Sequence, residues 1–423
     1  MRRGIAATAL VATLALAATA CGGEDGKQSK GSGGELAGEV TWWDTSTVGS
    51  EDKVFKKIAE DFTKKHPKVT VKYVNVPFGD AQNKFKNAAQ AGSGAPDVIR
   101  SEVAWTPDFA DLGYLAPLDG TTALKNEGDF LKQAAASTKY KDKTYAVPQV
   151  IDSMGIFYNK KMLKDAGVEV PGTIADLKTA AKKIKEKTGK TGMYLRGDDA
   201  YWFLSFLYGE GGDLVDAKNK KITIDNAAGV KAMNVAKDLV TSGAAKTDAT
   251  DGFDNMQKAF KSGDVAMMIN GPWAIADTYA GDQFKDKSNL GIAPVPAGSV
   301  KQGAPQGGHN LAVYAGSKNL DASYAFVDYM SSPEVQAQVT KELNLLPTRT
   351  SVYAQPDVAK NEIVTFFKPV VEKAVERPWI PETGSLFAPL VTEYTKVLTG
   401  QTAPEAGVKN AGDAYRKLLK GWN

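Results

Sequence analysis

Residues 40–99 switch repeatedly between two hydrophobic periods, and this alternation narrows the possible folds more than any other feature of the chain. Val40 to Trp43 is a short apolar run of strand character, followed by Val54, Phe55, Ile58, Ala59 and Phe62 on one helical stripe. Val69, Val71 and Tyr73 then repeat every second residue, as one face of a strand does. Phe85 to Ala89 returns to a helical pattern, and Asp97-Val98-Ile99 reads as a third strand. A helix between successive strands is long enough to carry the chain back over a sheet. The expectation is therefore parallel pairing with helices on the sheet faces.

The pattern resumes further along. Thr173 and Asp176 form a helix-start capping pair ahead of Ile174, Leu177, Ala181 and Ile184. Val230, Val235 and Leu239 mark another helix. Val265 to Ile269 is a continuous apolar run between Gly263-Asp264 and Asn270-Gly271-Pro272, which suits a strand buried on both faces. Leu311 to Tyr314 predicts a further strand, with a helix over Tyr324, Phe326, Val327 and Met330; the Lys-rich run from Lys178 to Lys190 reads as the wet face of a helix. With 423 residues, 43% of them hydrophobic, the chain can fill more than one core. The fold class expected is α/β with two lobes, although linear patterning does not say which segments share a lobe.

Composition removes several function classes. Lys plus Arg is 52 against 49 Asp plus Glu, so there is no basic excess for nucleic acid. A single cysteine excludes a disulfide framework and a Cys-based zinc site, and two histidines leave little for His-metal chemistry or His-dependent catalysis. No cofactor and no metal are expected.

The first residues read as an address. Arg2 and Arg3 precede an apolar stretch from Ile5 to Ala20, shorter than the roughly 20 residues that span a bilayer as a mature helix. Small residues then lead into the cysteine, Ala18-Thr19-Ala20-Cys21. The arrangement resembles a bacterial lipoprotein signal over residues 1–20, which implies cleavage before a lipidated Cys21; a plain secretory signal with an incidental cysteine is the alternative. Gly22 to Gly38 is rich in Gly, Ser, Lys and Glu and reads as a flexible tether. Lipid, tether and globular body together predict a protein held at the extracellular face of the cell membrane by its lipid alone.

Six motif groups, in order, carry a more specific likeness. Ala95-Pro96-Asp97-Val98-Ile99 is followed by Ala104-Trp105 and Phe109-Ala110-Asp111-Leu112-Gly113-Tyr114-Leu115-Ala116-Pro117-Leu118. Tyr145-Ala146-Val147-Pro148 precedes Gly155-Ile156-Phe157-Tyr158-Asn159-Lys160, and Gly263-Asp264-Val265-Ala266-Met267-Met268 runs into Asn270-Gly271-Pro272-Trp273. Gly308-His309-Asn310-Leu311-Ala312-Val313, Ser332-Pro333-Glu334 and Leu346-Pro347-Thr348 come later. The set resembles the extracellular solute-binding proteins of ABC importers, in the family that includes maltose-binding protein. The segment Ser101-Glu102-Val103-Ala104-Trp105 is most similar to maltose and maltodextrin binders of Gram-positive bacteria.

That resemblance implies a periplasmic-binding-protein-like fold, two α/β lobes with a hinge and a ligand cleft between them. Residues 39–150 with 307–350 would form the N-terminal lobe and 151–306 with 351–423 the C-terminal one. It implies a monomer that binds an oligosaccharide, maltose or maltodextrin foremost, and delivers it to a membrane permease. Trehalose or another oligosaccharide, a sensor lipoprotein that hands its ligand to a signalling partner, and a secreted glycoside hydrolase are the alternatives. A hydrolase needs two carboxylates about 5–5.5 or 6.5–9.5 Å apart, for which Glu102, Asp152 and Asp199 are available; the expectation is nonetheless a binding protein and not an enzyme.

A sugar presents hydroxyls at its edge and C–H patches on its faces, so its site needs carboxylates or amides together with aromatic rings. By resemblance, Asp152 stands at a sugar-binding carboxylate, Asp199 and Tyr201 at a second carboxylate and a stacking tyrosine, and Trp273 at a stacking tryptophan. Asp199 also suits an ordinary helix start. Phe387 or Trp379 takes the place of another tryptophan. Trp43, Asp44 and Ser46 lie near the first strand, where the family presents polar contacts; at period two, one of Trp42 and Trp43 should pack inward. The first lobe departs from the pattern, since Ser101, Ala104 and Trp105 stand where the enteric relative has tryptophan, aspartate and arginine contacts. Glu102 is the natural replacement acceptor, or else a solvated surface carboxylate, and Trp105 offers a ring face. His309, beside Asn310 at an expected lobe crossing, suits hydrogen bonding or a hinge better than a metal, and His66 stands alone beyond a helix end.

Overall fold

The computed structural model describes residues 35–423. The expected signal segment, Cys21 and most of the tether lie outside the described residues. Eleven strands form the two main sheets among these residues. They are β1 (Gly38–Asp44), β2 (Val69–Asn75), β3 (Val98–Glu102), β4 (Ala146–Asp152), β5 (Gly155–Asn159) and β6 (Thr191–Tyr194), then β7 (Ala245–Lys246), β8 (Val265–Asn270), β9 (Leu290–Pro294), β10 (Gly307–Val313) and β11 (Leu346–Pro347). The first sheet has the order β11-β4-β10-β3-β1-β2 and the second β7-β6-β8-β5-β9.

The parallel pairing expected of residues 40–99 is present, with β1 parallel to both β2 and β3. Trp42 is fully buried and Trp43 only half-buried, as the strand period requires. Between these strands, α1 (Glu51–Lys65) buries Phe55, Ile58, Ala59 and Phe62, and α2 (Phe78–Ala91) buries Ala81, Phe85 and Ala89. The sheet is not purely parallel, however: β10 runs antiparallel to β3 and β4. That strand arrives from the second sheet, where β9 ends at Pro294, and so enters from the opposite end.

In the second half, Thr173 and Asp176 form the expected capping box of α3 (Ile174–Thr188), each side chain accepting from the other's backbone N–H at 3.1 Å. Every residue of β8 is buried. One apolar cluster surrounds the second sheet and two smaller ones flank the first, and Trp273 packs against both the large cluster and one of the smaller. Residues 36–38, within the expected tether, belong to the folded body. Leu36 packs on the first-sheet core, and the Gly38 N–H donates to the Lys68 carbonyl at 3.0 Å.

Only Ser153 and Met154 separate β4 from β5, and residues 295–306 lead back from β9 to β10. The Ser153 hydroxyl donates to the Pro305 carbonyl at 2.9 Å. Val375 adds a third segment at this crossing, donating to Ala304 O and accepting from Gln306 N, both at 2.8 Å. Among the described residues, no helix is long and apolar enough to cross a membrane, and no group of His, Cys, Asp and Glu is placed to hold a metal ion.

Candidate functional site

Strand pairing brings the charged residues of the first sheet together. His309 lies opposite Glu102 and Leu311 opposite Arg100, while Gly307 lies opposite Asp152 and His309 opposite Val150. Residues directly opposite share a face, and the face repeats every second residue. Arg100, Glu102, Asp152, Gly307 and His309 therefore share one face at the crossing, at the carboxyl ends of β3 and β4, where open α/β sheets bind their ligands.

Asp152 is buried, and no side-chain hydrogen bond joins it to another described residue. Burial, with the Glu102 charge adding to it and Arg377 and Arg100 opposing, pushes its carboxyl up to about 7. Its Oδ1 and the Tyr201 hydroxyl converge over Gly307, where an added Cβ would lie 2.3 and 2.4 Å from them. A side chain there would have to displace both polar groups.

Tyr201 is presented by α4 (Ala200–Gly209), whose N-cap is Asp199. Asp199 accepts from the Tyr201 N–H at 2.9 Å, and its other oxygen lies 3.3 Å from Arg196. The helix-start reading of Asp199 thus describes what its oxygens do in this structure. The Tyr201 ring lies 6.4 Å from that of Trp273. Trp202 turns inward, with its Nε1 donating to Ile269 O at 2.6 Å.

Glu102 is not a solvated carboxylate. It forms an ion pair with Arg377, and its second oxygen accepts from Ala104 N at 3.0 Å. Arg377 is buried, donates from Nε to the Gln306 carbonyl at 2.9 Å, and lies 5.4 Å from the Tyr201 ring and 5.8 Å from that of Trp379. It also lines a cavity of about 430 Å³ with Asp213, Thr223 and Asn226.

Asp44 and Ser46 face inward. Asp44 is fully buried and accepts from the Tyr73 hydroxyl at 2.7 Å and from the Ser46 hydroxyl. It stands 3.8 Å from Arg100, whose Nε donates to Gln149 Oε1 at 2.8 Å. Asp44 and Gln149 thus hold the Arg100 side chain in place. Trp105 is buried and stacks on Phe78 at 5.3 Å, and the Phe78 ring lies 5.9 Å from His309. Trp43 packs against a first-sheet cluster and Phe387 against the second-sheet core, each half-buried.

The structure therefore gathers Glu102, Asp152, Tyr201 and Trp379 around Arg377, with Trp273 and Trp105 at the margins. Asp44, Ser46 and Asp199 have their oxygens engaged within the protein. Sequence reading missed Arg100, Gln149 and Arg377, because nothing in the local pattern of an arginine or glutamine tells a buried ion pair from a wet surface. Several polar atoms at the crossing are shielded from solvent and lack a partner among the described residues: both His309 nitrogens, Trp379 Nε1, Gln149 Nε2 and Gln306 Oε1. Buried polar groups are mostly satisfied, and five of the twelve unpartnered atoms among the described residues lie here, which makes the crossing the candidate place for a polar ligand.

Comparison with known proteins agrees with that architecture. The GacH receptor of Streptomyces glaucescens, with structures unliganded and in complex with acarbose and an acarbose homolog, has a TM-score of 0.90 at 66% identity, covering 92% of this chain and 100% of that one. Maltose-bound MalE3 of T. maritima has a TM-score of 0.82 at 26% identity, covering 90% of this chain and 99% of that one. The diacetylchitobiose-binding protein DasA of Streptomyces coelicolor is 28% identical across 99% of this chain and 100% of its own length. A maltooligosaccharide ABC transporter solute-binding lipoprotein of Streptococcus pneumoniae is 26% identical across 98% of this chain and 97% of its own. The fold is the two-lobed one of periplasmic binding proteins. Residues 46–337 match the bacterial extracellular solute-binding proteins, and the chain belongs to that family.

Proposed function

We propose that the protein is a lipid-anchored extracellular receptor that binds maltodextrin-type oligosaccharides, acarbose-like ones included, between its lobes and delivers them to an ABC importer permease. The observation that carries this reading is the group of unpartnered polar atoms on His309, Trp379 and Gln149 beside the unbonded Asp152 carboxyl and the rings of Tyr201 and Trp273. Hydroxyls would satisfy the former while sugar faces cover the latter. The likeness to the GacH receptor, which has structures in complex with acarbose, and to a maltooligosaccharide solute-binding lipoprotein supports the ligand class. Residues 39–150 with 307–350, and 151–306 with 351–423, are the proposed lobes; strand membership in the two sheets supports the division. Glu102, Trp105, Asp152, Tyr201, Trp273 and Trp379 are the proposed contacts, with Arg377 added. Engagement of Glu102 by Arg377 and of Asp199 by its own helix argues against a free carboxylate pair for hydrolysis.

Titration of the full chain with maltose, maltotriose, maltotetraose, acarbose, trehalose and diacetylchitobiose, followed by tryptophan fluorescence and calorimetry, tests this. A saturable response to α-glucans or acarbose at micromolar Kd, about −8 kcal/mol, is expected, with Trp273→Ala weakening it at least about tenfold. A response to diacetylchitobiose alone overturns the ligand class. Release of glucose or maltose from maltotetraose overturns the binding-only reading.

A further inference from the structure

His309 has three features that, taken together, neither packing nor a hinge explains. Both of its ring nitrogens are shielded from solvent and have no partner among the described residues. Its neighbour Asn310, deeper in the same strand, has its amide nitrogen engaged: Asn310 Nδ2 donates towards Ser137 Oγ at 3.2 Å and towards Thr106 Oγ1 and Ser137 O at 3.3 Å. Buried polar side chains are mostly satisfied as Asn310 is, and in His309 both polar atoms of one ring are left open at the crossing.

The backbone around it is specialised. His309 pairs with Val150 and Asn310 with Pro148, so Gln149 is an extra residue in β4, and the ladder is broken beside His309. Such bulges re-aim side chains and gather near binding sites. Gly308, immediately before it, has φ +131°, and a Cβ there would lie 2.2 Å from the Val150 carbonyl oxygen. Only glycine fits, so the conformation that delivers His309 is built in.

The surroundings decide which form of the ring is present. Burial, then the charges of Arg100 and Arg377, hold the imidazole well below its usual value, and Phe78 packs against it edge-on at 5.9 Å. A neutral imidazole has one N–H donor and one acceptor nitrogen, whereas the protonated ring has donors only.

We propose that His309 is a ligand-contacting, specificity-determining residue of the first lobe, whose neutral imidazole accepts a hydrogen bond from one sugar hydroxyl and donates one to another. The proposal rests on the receptor reading above. It supplies polar recognition from β10 of the first sheet, a strand that holds none of the other proposed contacts. A hydroxylated ligand can use both nitrogens at once, while an acceptor-only anion would leave one of them unpaired.

The test compares the full chain with His309→Phe, which keeps the ring and removes both nitrogens, and His309→Gln, which keeps a donor and an acceptor. Calorimetry with maltotriose, maltotetraose and acarbose should show His309→Phe weakening the best ligand about tenfold or more, with His309→Gln within about threefold of the native protein. The ligand-free melting temperature of His309→Phe should be unchanged or higher, because unpartnered polar atoms have been removed; a structural histidine would give a fall. The chain has two histidines, so ¹⁵N imidazole spectra of the native protein provide an independent readout. The His309 ring nitrogens should shift on saturation with ligand, and those of His66 should not. Native affinity in His309→Phe, or ring nitrogens that do not move in the liganded native protein, overturns the proposal alone. Failure of the native protein to bind any of the three sugars overturns the α-glucan ligand class and this assignment with it.

Discussion

The Asp152 carboxyl illustrates the cost of a binding site. Its ordinary value near 3.8 rises to about 7 on folding, because burial and Glu102 both disfavour the charge. Between those values the native state keeps a proton that the unfolded state has released. Stability from this group is therefore undiminished below pH 4 and falls as pH rises towards 7. Asp152→Asn should raise stability at pH 8 by roughly 2–4 kcal/mol while leaving it little changed at pH 4; thermal unfolding at the two pH values checks this. Sugar affinity should fall in the same variant, and in the native protein it should rise between pH 6 and 8, as the carboxyl becomes the ionised acceptor that hydroxyls prefer. Calorimetry across that range reads the effect. A receptor indifferent to pH, and unharmed by the substitution, would remove Asp152 from the site.

Single elements were the most legible part of the chain. The capping box at Thr173 and Asp176 involves groups three residues apart, so the local pattern contains the whole interaction. Thr173→Ala should destabilise the fold by about 1 kcal/mol with no change in ligand affinity, as urea unfolding and calorimetry together would show. The start of α4 was ambiguous for a physical reason. Aspartate is favoured at a helix N-cap and equally suits a sugar contact, and Asp199 could be read as either until its partners, Tyr201 N and Arg196, were known. In β1, period two foretold that one tryptophan would pack inward; the environment chose Trp42, which meets Phe55, Tyr73 and Phe326 edge-on.

At the scale of the whole molecule, contacts cross between the sheets without a ligand. Glu102 on β3 pairs with Arg377 in the segment that joins the crossing, and Gly384 of the helix Thr383–Leu398 lies against Gln82 of α2. Glu102→Gln leaves the buried guanidinium without its counter-charge. It should lower stability by about 3–5 kcal/mol and enlarge the ligand-free radius of gyration as the lobes part, with saturating sugar restoring the compact form. Thermal unfolding and small-angle scattering with and without maltotetraose measure both effects. An unchanged scattering profile would mean that other contacts hold the lobes together.

The sequence by itself determined the alternation of strands and helices, the helix caps, the buried run of β8 and the two-lobed α/β class, because each depends on the spacing of apolar and capping residues along a short stretch. It also named Asp152, Tyr201 and Trp273, through resemblance to a family. Which of the expected polar residues are free was set by long-range packing. Asp44, Ser46 and Asp199 are committed to partners inside the protein, Glu102 is tied across 275 positions to Arg377, and His309 is left without partners. Whether a polar side chain is satisfied depends on groups far away in the chain, and no local pattern records them.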